Sequence, residues 1–133
     1  MADIRMEIKV NNIDKALAEK DVAISRALEI IGGKAQRYVS DLTPQKTGRL
    51  RGSMTYKTAK GGSSPAPPAS GADGVQGNPT KSQVIIGTNV EYAAYVELGA
   101  QKRKAAHMIK RGVGDHVSEY ENIIKSELDS ISI

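Results

Sequence analysis

Residues 13–42, IDKALAEKDVAISRALEIIGGKAQRYVSDL, place Ile13, Leu17, Ile24, Leu28, Ile31, Ala35, Tyr38 and Leu42 at intervals of three, four or seven. That spacing lines one stripe of an α-helix and decides the architecture, because so long an apolar stripe must be covered by something else in the chain. The reading is one helix over 14–41, started by Asn11, Asn12 or Asp14 as cap. Gly32-Gly33 costs about 1 kcal/mol per glycine in a helix interior, yet the stripe stays in phase across the pair. A kink or a close packing contact is therefore expected there. Thr43-Pro44 ends the helix, since a residue before proline is pushed out of the helical region.

Working outward, residues 3–10 alternate Asp3, Arg5, Glu7 and Lys9 with Ile4, Met6, Ile8 and Val10, the period of a strand with one wet face. Residues 49–58 alternate again, with Leu50, Met54 and Tyr56 as the apolar set, and predict a second strand. Val84, Ile85 and Ile86, ended by Gly87, predict a short buried strand paired with it. A helix over 91–98 follows, capped by Asn89, with Ala93, Ala94, Val96 and Leu98 packing and Gly99 as its stop. Ile109, Val113, Val117, Tyr120, Ile124, Leu128 and Ile131 predict a C-terminal helix over 107–130, interrupted near its start by Gly112 and Gly114.

Between the second and third strands, residues 59–81 read AKGGSSPAPPASGADGVQGNPTK and hold five of the thirteen glycines and four of the five prolines. Val75 is the only sizeable apolar side chain in it, so burial cannot offset its ordering entropy. A mobile hairpin arm is expected, in preference to a linker between two domains, because residues 1–58 alone are poor in core-forming side chains.

The chain has 133 residues, which sets the expectation of a single domain over 1–133 with one core. Five Tyr with no Phe or Trp make that core aliphatic. The absence of cysteine excludes a disulfide framework, a thiolate metal site and a Cys nucleophile. No apolar run approaches the roughly 18 residues that span a bilayer, and MADIRMEIKV does not resemble a signal peptide. A soluble protein that does not contact membrane is expected.

The net charge of +4 conceals a division. Residues 1–41 are neutral, residues 42–111 carry eleven basic against three acidic side chains, and residues 112–133 carry one against five. A +8 middle and a −4 tail suit nucleic acid, or copies of the chain meeting head to tail.

No catalytic constellation stands out. His107 and His116 lie nine apart, off a common helical face, and read as surface histidines; Glu91 and Glu97 lack a third partner; no phosphate-binding loop precedes a Lys and Ser or Thr. The chain is read as a non-enzyme without cofactor or metal. Nucleic-acid binding remains as an alternative on charge alone, with Tyr56, Tyr92 and Tyr95 as the aromatics of the basic region and no helix-turn-helix or zinc-finger pattern.

Two stretches carry more. Thr43-Pro44-Gln45-Lys46-Thr47-Gly48-Arg49-Leu50-Arg51-Gly52-Ser53 has the pattern TPxxTGxLRxS, and Tyr92-Ala93-Ala94-Tyr95-Val96-Glu97-Leu98-Gly99 has YAxYVExG. In this order, with helices around them over 14–130, they resemble the tail-completion or head–tail joining family of long-tailed bacteriophages. The resemblance implies an α+β fold, with a long N-terminal helix and a C-terminal helix packed on a small, mainly antiparallel sheet. It also implies a structural protein of the virion, made in the host cytoplasm, that forms a ring at the neck or tail end. Six copies would follow tail symmetry, with tail tube, terminator or head connector proteins as neighbours and DNA at most passing through the lumen. On that reading Arg49, Arg51, Lys102, Arg103 and Lys104 are the expected interface cations, meeting an exposed Glu97 or the acidic C-terminal residues of the next copy.

Overall fold

The apolar stripe of the first helix forms the spine of the computed structural model, which describes residues 4–9, 18–44, 48–99 and 104–130. Helix α1 spans Ala18–Leu42, and the expected capping residues Asn11, Asn12 and Asp14 lie outside the described residues. Ile24, Leu28, Ile31, Ala35 and Val39 of its stripe are buried in one core cluster, with Tyr38 and Leu42 packed at its margin. Thr43 ends the helix by turning its hydroxyl back to Val39 O at 2.7 Å.

Three strands, β1 (Ile4–Lys9), β2 (Thr55–Thr58) and β3 (Gln83–Thr88), form an antiparallel sheet in the order β1-β3-β2. β3 is central, and its apolar run is buried on both faces. Val84 and Ile86 belong to the core that α1 covers. Ile85 points the other way, in register with Glu7 and Lys57 on its two neighbours.

The remaining helices are α2 (Arg49–Ser53), α3 (Ala93–Leu98), α4 (Met108–Gly114) and α5 (Val117–Asp129). α4 and α5 lie against α1, and Met108, Ile109, Val113 and Tyr120 join the core. The architecture is α+β, as the sequence predicts. Among the described residues no helix is long and apolar enough to cross a membrane.

At Gly32 the contact expected from the glycine pair is present and the helix runs on unbroken. A Cβ there would stand 2.3 Å from Cδ2 of Tyr56, so the missing side chain lets β2 lay its ring directly on α1. Gly33 has nothing within 4 Å of the same position. The Tyr56 hydroxyl donates to Glu29 at 2.9 Å, and Glu29 also accepts from Thr58.

Three expectations are corrected, the first at Asn89, which does not cap α3: that helix starts after Tyr92 with no side-chain cap, and the Asn89 amide donates to Ala72 O at 3.2 Å. Residues 49–53 are helical, so the strand predicted over 49–58 is confined to its last four residues. Gly48, with φ of 71°, turns the chain, and Gly52 N–H closes a helical turn on Gly48 O at 2.9 Å. The single helix predicted over 107–130 is two, separated at Asp115 and His116. His116 stacks on Tyr38 with centroids 3.6 Å apart, and Tyr38 donates to Glu119.

Candidate functional site

The two sequence motifs meet at one end of the sheet, where most of their residues bind other parts of the same chain. Arg49, at the start of α2, forks onto Asp73, with Nε to Oδ2 at 3.0 Å and Nη2 to Oδ1 at 2.9 Å. It also reaches Glu91 at 3.1 Å and lies 5.8 Å from the centre of the Tyr92 ring. Hydrogen bonds from Arg49 and from Ser70 N–H pull the Asp73 carboxyl down to about 2. Glu91 is also lowered, by its own backbone N–H and then by Arg49.

Gly52 permits a second attachment. Its carbonyl accepts Ala66 N–H at 2.8 Å, and a Cβ would sit 2.3 Å from Ala66 O. Ser53 supplies the third: its buried hydroxyl shares a 2.6 Å hydrogen bond with Thr88 Oγ1 at the end of β3. Arg49, Gly52 and Ser53 therefore clamp residues 66–73 and β3 onto α2.

Those clamps determine the path of residues 59–81. The segment turns back along β2, crosses α2 near Ala66, makes a short 3-10 turn over Gly71–Asp73 and then runs over the sheet. Val75 N–H donates to Thr55 Oγ1 at 2.8 Å. A Cβ on Gly77 would stand 3.0 Å from Ile85 Cδ1 and 2.4 Å from Arg5 Nη1. The segment thus shields the second face of the sheet with polar ties in place of apolar mass, and Asp73, Gly74 and Val75 are buried.

In the second motif, Ala93 and Val96 enter the core. Glu97 was expected to stay outside, ready for a neighbour's arginine; the structure corrects this. It is 6% exposed, and its two oxygens accept the N–H groups of Ile109 at 2.9 Å and Lys110 at 3.1 Å. α4 begins after His107, which supplies no side-chain cap, so the carboxylate satisfies donors the helix start would leave orphaned.

Leu98, expected to pack, is instead 67% exposed, and Tyr95 on the same face of α3 is 63% exposed. Sequence reading missed this pair because both positions sit inside a short helix that otherwise packs. Of the expected interface cations, Arg51 touches Asp41 at 3.5 Å, Lys104 is exposed, and Lys102 and Arg103 lie outside the described residues. An apolar groove of about 370 Å³ opens elsewhere, between α1 and the end of β2, lined by Val22, Leu28, Ile30 and Ala59 and edged by Lys60 and Lys81. No group of three or more His, Cys, Asp or Glu able to hold a metal ion occurs among the described residues.

A model of the family described as "Bacteriophage HK97-gp10, putative tail-component" matches residues 7–99, more than two thirds of the chain. The chain belongs to this HK97-gp10-like family. Neither the curated proteins nor the solved structures gave a match. The family match runs from β1 to Gly99, so it takes in both motifs, the clamp and the exposed pair of α3, and stops before α4 and α5. This HK97-gp10-like chain is therefore a member of a family of phage tail components, in agreement with the resemblance its motifs carry.

Proposed function

We propose that the chain is a structural subunit of the virion that completes the tail or joins it to the head by assembling into a ring, six copies matching the symmetry of such tails. The observation that carries this reading is the exposed pair Tyr95 and Leu98 within the family-matched region. Two large apolar side chains side by side on a surface helix favour burial against protein.

The groove at Val22 and Ile30 is the surface of the next copy on which the pair seats. One patch meeting a different patch is the heterologous contact that closes rings. Ile30 borders α5 as well as the groove, and α5 displays Glu121 and Asp129 to solvent. Lys104, six residues beyond Leu98 and exposed, then faces acidic residues, with Arg51 joining it. Each exposed ion pair adds only about 0–1 kcal/mol. Apolar burial gives the affinity and the charges set orientation.

Light scattering over a series of protein and salt concentrations tests this reading. Wild type assembles alone or with tail tube or connector protein, and Tyr95→Ser with Leu98→Ser does not. A chain that stays monomeric under all these conditions overturns the proposal, as does tight duplex binding in a gel shift at physiological ionic strength, which would favour nucleic acid as the partner of the basic region.

A further inference from the structure

The two outer edges of the sheet are treated differently. Along β2 the chain returns on itself: Thr58 N–H donates to Gly61 O at 2.9 Å, Ser63 N–H donates to Tyr56 O at 3.0 Å, and Tyr56 N–H donates to Ser63 Oγ at 3.1 Å. That edge is closed. β1 forms the other edge, and among the described residues no strand pairs with its outer side. Six residues of extended backbone thus stand ready to accept another strand.

The side chains of β1 indicate which strand fits. Ile4, Met6 and Ile8 are half-buried and pack at the margin of the core, while Arg5 and Glu7 are exposed on the opposite face. We propose that β1 pairs antiparallel with β1 of a second copy, centred on Met6, to make one six-stranded sheet across a two-fold axis. In this register Arg5 stands opposite Glu7 of the second copy and Glu7 opposite its Arg5. Met6 meets Met6 and Ile4 meets Ile8, all on the core face.

Neighbouring registers are disfavoured. Sliding by two residues puts Glu7 opposite Glu7 or Arg5 opposite Arg5, and sliding by one sets apolar side chains against charges. An edge protected by charges of one sign repels its own copy; this edge carries opposite signs symmetrically about Met6 and attracts it. Among the described residues Arg5 donates to Gln76 O at 3.1 Å and Glu7 accepts from Gln83 Nε2 at 2.8 Å. A guanidinium has five N–H donors and a carboxylate two oxygens, so these bonds leave capacity for the pair across the axis. The contact is isologous and separate from the α3-to-groove contact of the ring, so it does not rest on that reading.

Charge reversal tests it, with association measured by sedimentation equilibrium of the full chain carrying Tyr95→Ser and Leu98→Ser to remove the other contact. The expected result is a dimer that Arg5→Glu and Glu7→Arg each weaken by about tenfold or more, because both cross-strand pairs become repulsive. The double reversal restores it, and an equimolar mixture of the two single variants forms the heterodimer. A parent chain monomeric at every concentration overturns the proposal. So does an association that both single reversals leave unchanged, or a double reversal and a mixture that remain as weak as the single variants.

Discussion

Arg49 and Asp73 are joined by two parallel hydrogen bonds across 24 residues of chain, between the first turn of α2 and a segment whose composition promises no attachment at all. Charge-assisted, two-point geometry of this kind is stronger and more directional than a single contact. It fixes the midpoint of residues 59–81 and, through Asn89 N–H on Asp73 O at 2.8 Å, the end of β3 as well.

This pair gives the stability an acid dependence. Asp73 holds its carboxyl at about 2 in the folded chain, below the ordinary 3.8. A depressed folded-state value contributes stability that is complete above about pH 4 and is lost as the pH falls toward 2. Urea unfolding of wild type from pH 5 to pH 2 should therefore show a decline that Asp73→Asn reduces, the variant being less stable than wild type at pH 5 and closer to it at pH 2.

The adjacent glycines of α1 should respond in opposite directions. Gly32→Ala drives a methyl group into the Tyr56 ring and is expected to cost about 1–3 kcal/mol. Gly33→Ala enters open space in a helix interior and should add about 0.5–1 kcal/mol. Chemical denaturation of the two variants side by side gives the comparison, and equal effects would contradict the packing.

Limited proteolysis reports on the clamp. Exposed residues 59–62 should be cut first, whereas the buried stretch Asp73–Val75 should resist. Gly52→Ala displaces Ala66 and is expected to increase cleavage across residues 63–70 several-fold while leaving α1 intact, as read by mass spectrometry of the fragments.

Glu97 offers a fourth measurement. Removing its carboxylate by Glu97→Ala orphans two N–H groups at the start of α4, with an expected loss of about 1–3 kcal/mol. Glu97→Gln keeps one acceptor oxygen and should lose less. Thermal unfolding distinguishes the three chains, and a neutral Glu97→Ala would point to solvent replacing the carboxylate.

How much of this was legible in the sequence depended on length and on the kind of force involved. α1 was readable because its stripe persists for many turns, and β3 because an apolar run ended by Gly87 leaves little choice. α2 was not: Leu50 and Met54 are four apart, which is both two strand repeats and about one helical turn, so five residues could not separate the periods. The path of residues 59–81 was hidden because Arg49, Ser70, Asp73 and Thr55 hold it through polar bonds, which composition counts as affinity for water. Glu97 was misread for the same reason. Its signal was indirect: no Ser, Thr, Asp or Asn precedes α4, so that helix had to borrow an acceptor from elsewhere.

The termination of the family match at Gly99 has a practical meaning for anyone trimming the gene. Met108, Ile109, Val113 and Tyr120 supply the lid over one flank of α1, so a fragment cut at the homology boundary would leave Ile31, Ala35 and Val39 with part of their cover stripped away. The span of the family match and the span of the packed core differ in this molecule, and an expression fragment should follow the second.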